Sequence, residues 1–163
     1  MSDLPVPEID VVIASCLWLG EEGLLLDKCS VAAGQGIDAR ADRARLINAL
    51  PSSHLLCPVF EQHGPDIVAL SDTHRWYIEC KGTGGGKPAT QRNHFDRAVA
   101  SVASYFTDDG VTLGLAVPAT PLYRHFIRTR VPPALRKRLH MWLLLHDPTT
   151  RQIQDFAPGQ GFH

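Results

Sequence analysis

Asp66 opens one apolar run, Glu79 and Lys81 close the next, and a short polar turn separates them; no other feature constrains this chain as strongly. The runs read Asp66-Ile67-Val68-Ala69-Leu70 and Trp76-Tyr77-Ile78-Glu79-Cys80-Lys81, joined by Ser71-Asp72-Thr73-His74-Arg75. Polar turn residues between β-branched and aromatic runs predict a hairpin. Side chains alternate along a strand, so Glu79 and Lys81 share a face while Cys80 points the other way. The hairpin brings Asp66 beside them. Two carboxylates and the backbone carbonyl of Cys80 suit a hard divalent cation, Mg²⁺ or Mn²⁺, which prefers oxygen ligands and keeps several waters. A cation so held activates water against a phosphodiester, and Lys81 on the same face supports the attacking nucleophile.

Pro65-Asp66, followed thirteen residues later by Glu79-Cys80-Lys81-Gly82, resembles the active-site signature of the PD-(D/E)XK nuclease superfamily. A glycine-rich turn follows, and Gln91-Arg92-Asn93-His94-Phe95 opens a predicted helix. In motif this arrangement is most similar to VRR-type nucleases and Holliday junction resolvases. The resemblance covers residues 60–106 and implies a restriction-endonuclease-like α/β fold, a mixed central sheet flanked by helices. It implies a metal-dependent nuclease, with DNA a more natural substrate than RNA. Asp66, Glu79, Lys81 and Gln91 would be catalytic, with Asp66, Glu79 and the Cys80 carbonyl on the metal. The family's usual tyrosine in the glutamine helix is Phe95 here, which keeps the packing and loses a hydroxyl. A further acid is expected from upstream, and Glu21, Glu22, Asp38 and Asp42 all remain open.

The net charge of −1 hides an asymmetry: residues 1–66 carry four Lys/Arg against ten Asp/Glu, and residues 67–163 carry twelve against seven. A basic second half suits phosphate contact, and Lys87, Arg92, Arg124, Arg128, Arg136, Lys137 and Arg138 are the candidate residues. Lys81-Gly82-Thr83-Gly84-Gly85-Gly86-Lys87-Pro88 is no Walker loop, because Pro88 stands where Ser or Thr is required. It reads as a flexible loop beside the site. Eight histidines lack zinc-ligand spacing, although His63 and His94 fall near the motif. Four scattered cysteines suggest a reducing, cytoplasmic setting, and no run reaches the length of a membrane span. Two rival readings stay open: a non-catalytic nucleic-acid-binding or assembly subunit, and a metal-dependent RNase. A double-strand cut would call for a homodimer or a partner subunit.

The length of 163 residues fits a single domain, with the motif core at about 37–117 and a C-terminal helix and strand addition. Residues 11–19 read as a strand or a buried helix, and residues 21–29 continue with helical composition. Residues 37–50 predict a helix and residues 54–60 a strand. Thr90 is the expected N-cap of the glutamine helix, whose Phe95, Ala98, Val102 and Phe106 follow helical spacing. Residues 111–117 predict a strand, residues 122–130 and 133–140 helices, and residues 141–146 and 152–156 a final pair of strands.

Overall fold

A computed structural model describes residues 5–34, 37–59 and 63–162, with the side chains of residues 56–59 excepted. The first helix, α1 (Glu8–Glu21), is followed by strand β1 (Leu25–Cys29) and helix α2 (Ala39–Ala49). Strands β2 (Leu55–Val59), β3 (Ile67–Leu70) and β4 (Arg75–Cys80) come next, then helix α3 (Pro88–Ser104) and strand β5 (Val111–Pro118). Helices α4 (Pro121–Arg130) and α5 (Pro133–Arg138) lead into strands β6 (Met141–His146) and β7 (Ile153–Phe156). The strands form one sheet in the order β2-β1-β3-β4-β5-β6-β7. β4, β5 and β6 run parallel, β1 is parallel to β2, and the remaining pairs are antiparallel. The chain is therefore α/β with a mixed open sheet. Among the described residues, no helix is long and apolar enough to cross a membrane.

The expected hairpin forms. Leu70 pairs with Arg75, and the Ser71 N–H and His74 C=O close the turn at 2.9 Å. Ile67 faces Ile78, so one step further Asp66 faces Glu79. β5 is buried along its whole length, which explains its unbroken apolar run between two parallel neighbours. Its small residues Gly114 and Ala116 turn toward α1, while Leu113, Leu115 and Val117 pack under α3 and α4. A Cβ on Gly114 would stand 2.8 Å from Ile78 Cγ1, so the small side preserves the close fit.

Residues 21–29 correct the sequence expectation. Gly23 sits at φ 83°, and the bonds Leu24 N–H to Leu19 C=O and Gly23 N–H to Gly20 C=O end α1. Leu25–Cys29 then join the sheet as β1, because strand partners on both sides outweigh local helical composition. The 11–19 segment is the buried half of α1. α3 begins at Pro88 with Lys87 as N-cap, ahead of the expected Thr90, since proline fits the first helical position without losing a hydrogen bond. The end of the 54–60 strand, at Phe60, lies outside the described residues.

Candidate active site

The hairpin register delivers three of the expected groups to one place. Asp66 Oδ2 accepts from the Cys80 N–H at 2.7 Å, which pins the carboxylate to the end of β4. Lys81 continues the strand by donating its backbone N–H to the Ala116 C=O at 2.9 Å. Its Nζ lies 3.2 Å from Glu79 Oε1. The other Glu79 oxygen accepts from the Tyr105 hydroxyl at 3.0 Å, so both oxygens of this nearly buried carboxylate are held. Cys80 points to the opposite face, where burial pushes its thiol well above the ordinary range. Only its backbone is left for the site.

The upstream acid that the fold brings beside Lys81 is Glu8, a residue outside the four expected. Its Oε2 stands 3.5 Å from Lys81 Nζ. Asp38 instead caps α2 by accepting from the Ala41 N–H, Asp42 lies beside Arg45, and Glu21 and Glu22 are exposed at the far end of α1. The cause is tertiary. Val6 and Thr83 exchange hydrogen bonds, Val6 N–H to Thr83 Oγ1 at 2.8 Å and Thr83 N–H to Val6 C=O at 2.9 Å. This clamps the start of α1 onto the residue after Gly82. A first-turn acid behind Pro7 is an ordinary helix-start signal, so its sequence gave no sign of this contact.

The electrostatics reflect crowding of like charge. Burial and then the Glu79 carboxylate raise Asp66 to about 7, against the pull of Lys81. Burial likewise raises Glu8, although Lys81 opposes it. For Lys81, burial acts to lower the pKa, but Glu8, Asp66 and Glu79 together outweigh it and hold the ammonium charged. A cleft of about 340 Å³ opens on Glu8, Glu79 and Lys81, walled by Ala32 and by His94, Arg97 and Ser101 of α3. Gln91 braces the glycine loop, its amide donating to the Gly86 C=O at 3.1 Å. Of the α3 residues on the cleft wall, His94 was named in the sequence and Arg97 and Ser101 were not. His63 is exposed, and its carbonyl accepts from Lys28. Among the described residues no three His, Cys, Asp or Glu side chains form a metal-ligand set. Asp66, Glu79 and the Cys80 backbone meet at this sheet end, and Glu8 joins them through Lys81.

The basic candidates divide. Lys87, Arg92, Arg128, Lys137 and Arg138 are exposed. Arg124 bonds Gln154 Oε1 at 3.0 Å and lies 5.6 Å over the Phe162 ring. β4, β5 and β6 run parallel and α5 leads into the first residue of β6, so Lys137 and Arg138 stand at the sheet end away from Glu79. Arg136 is a correction: it is fully buried and donates to the Ala157 C=O at 3.0 Å and to the Gln160 C=O. Its guanidinium anchors the C-terminal segment instead of meeting phosphate. Arg136→Ala is expected to cost about 2–4 kcal/mol in urea unfolding, since two carbonyls lose a charged donor. An unchanged urea midpoint in the variant would return Arg136 to the surface.

No protein-family model, no curated protein and no solved structure matches this chain.

Proposed function

We propose that this chain is a divalent-metal-dependent nuclease that hydrolyses phosphodiester bonds, with DNA as its substrate. The observation that carries the reading is the meeting of Asp66, Glu79 and Lys81 at one sheet end, with Asp66 raised to about 7 by burial and by Glu79. Two carboxylates forced together in this way gain from a cation between them. The donors fit Mg²⁺ or Mn²⁺, since all are hard oxygens, and Glu79 opens on the cleft that would admit coordinated waters. A cation bound there would polarise the phosphoryl oxygen and lower the pKa of a water. Glu79 is fixed for its part by Tyr105 and Lys81. Lys81, kept charged by three carboxylates, faces the phosphate and offsets its developing charge. Arg97 and His94 on the cleft wall are placed to meet the flanking phosphates. The hairpin with α1 before it and α3 after it also agrees with the restriction-endonuclease-like fold that the motif implies.

The test is a cleavage assay on supercoiled, linear, single-stranded and four-way-junction DNA and on RNA, with Mg²⁺, Mn²⁺ or EDTA. Metal-dependent cutting should fall by on the order of 10³-fold or more in Lys81→Ala. Silence on every substrate, with metal-independent binding retained, would replace the nuclease by a binding or assembly subunit. Cutting of RNA alone would make the chain an RNase.

A further inference from the structure

A second depression, about 460 Å³, lies between the first half of α3 and α4, away from the carboxylates. Its lining includes the apolar Ala89 and Leu122, with the nearly buried Phe126 beneath, and also Arg92, His125 and Arg130. Arg130 grips both oxygens of Asp96 at 2.8 and 2.9 Å. That pair ties α4 to α3 and fixes the width of the groove. It also neutralises the acid beside the rim, so Arg92 remains to set its charge. An apolar lining beside a cationic rim suits a ligand that is flat and apolar at one end and anionic at the other.

The groove is joined to the site through one loop. The Tyr123 hydroxyl donates to the Gly82 C=O at 2.7 Å, so the first turn of α4 hangs on the residue that follows Lys81. Residues 84–87 of the same loop then lead into Pro88 and Arg92. On α3, His94, Arg97 and Ser101 look into the carboxylate cleft while Ala89 and Arg92 look into the groove. Positions 92 and 97 are about 7–8 Å apart along the helix, close to the reach of one nucleotide of backbone.

We propose that this groove is a subsite for one unpaired nucleotide next to the cleaved bond, its base on Ala89 and Leu122 above the nearly buried Phe126 and its phosphate on Arg92. The proposal rests on the nuclease reading for its substrate. A paired base cannot enter without breaking its hydrogen bonds to the opposite strand, a cost that an unpaired base does not carry. The subsite therefore makes the enzyme one for tailed, gapped or single-stranded ends and not for blunt duplex.

The experiment compares one labelled duplex sequence as a blunt, a 5′-tailed and a 3′-tailed form, by anisotropy in EDTA and by cleavage in Mg²⁺. It uses the full chain, Arg92→Ala, Leu122→Glu and the control Lys137→Ala. A tail should strengthen binding about tenfold, and Arg92→Ala and Leu122→Glu should each remove that gain and leave blunt-duplex affinity unchanged. If Leu122→Glu does not fold, Arg92→Ala carries the test. Equal losses on blunt and tailed DNA would make Arg92 an ordinary phosphate contact and overturn the subsite, as would no loss at all. Competition by thymidine monophosphate alone, as strong as by a tailed duplex, would overturn it in favour of a free-nucleotide site. The binding arm is read without metal, so absence of cleavage would sink the nuclease and leave the groove to be judged separately.

Discussion

Asp66→Asn is expected to abolish metal-dependent cleavage, on the order of 10³-fold or more, and at the same time to stabilise the metal-free protein. The two effects share a cause. In the folded chain burial and Glu79 raise Asp66 from 3.8 to about 7. A carboxyl whose folded pKa is raised favours folding fully below its unfolded pKa, near 3.8, and loses that contribution as pH rises through about 7. Above pH 7 the ionised group is a cost. Asparagine keeps the shape and still accepts from the Cys80 N–H, but never ionises. Its advantage should open near pH 4 and level off above pH 7, at about 1–4 kcal/mol. Added Mg²⁺ should raise the melting temperature of the wild type and leave the variant unmoved, because only the carboxylate pair gains from the cation. At limiting Mg²⁺, wild-type cleavage should climb as pH passes through 7. Thermal melts at pH 5 and pH 8 with and without Mg²⁺ decide the matter. A variant that still cuts, or one that melts below wild type at pH 8, would remove Asp66 from the metal.

Gly82→Ala is expected to disable the site without touching any charged group. A Cβ at residue 82 would lie 2.4 Å from the Val6 carbonyl oxygen and 2.5 Å from the Glu8 nitrogen. Both are backbone atoms, so the start of α1 must move. That motion breaks the paired Val6–Thr83 hydrogen bonds and withdraws Glu8 from Lys81. The cost should be about 1–3 kcal/mol of stability, typical of overpacking a close contact. Cleavage should fall about 100-fold, since small displacements of a positioning contact are amplified in rate. Glu8→Gln separates the two effects by weakening the ion pair while leaving the fold intact. Wild-type stability and activity in Gly82→Ala would show that the helix start does not depend on this contact.

The hairpin and the meeting of its two acids and lysine were legible because they are local. Alternation along β4, a polar turn and the Asp66-to-Glu79 spacing set register and face without help from distant residues. The amphipathic spacing of α3 was legible for the same reason, down to Phe95, Ala98 and Val102 on its buried side. What sequence could not supply was any contact made across more than one element. β1 became a strand only because β2 and β3 lie on either side of it. Arg136 was one of several arginines in a basic run until the fold surrounded it with the carbonyls of Ala157 and Gln160. Glu8 and Asp42 carry the same charge on comparable helices, and only the docking of residues 6–8 on Gly82 and Thr83 puts one of them at Lys81. By itself, then, the sequence determined a β-hairpin with two acids and a lysine on one face. Tertiary structure decided which further acid joins them, which basic residues stay in solvent, and that a second groove opens beside the same loop. Periodicity and turn chemistry act over a few residues, whereas those outcomes depend on backbone segments up to 77 positions apart meeting within hydrogen-bond distance.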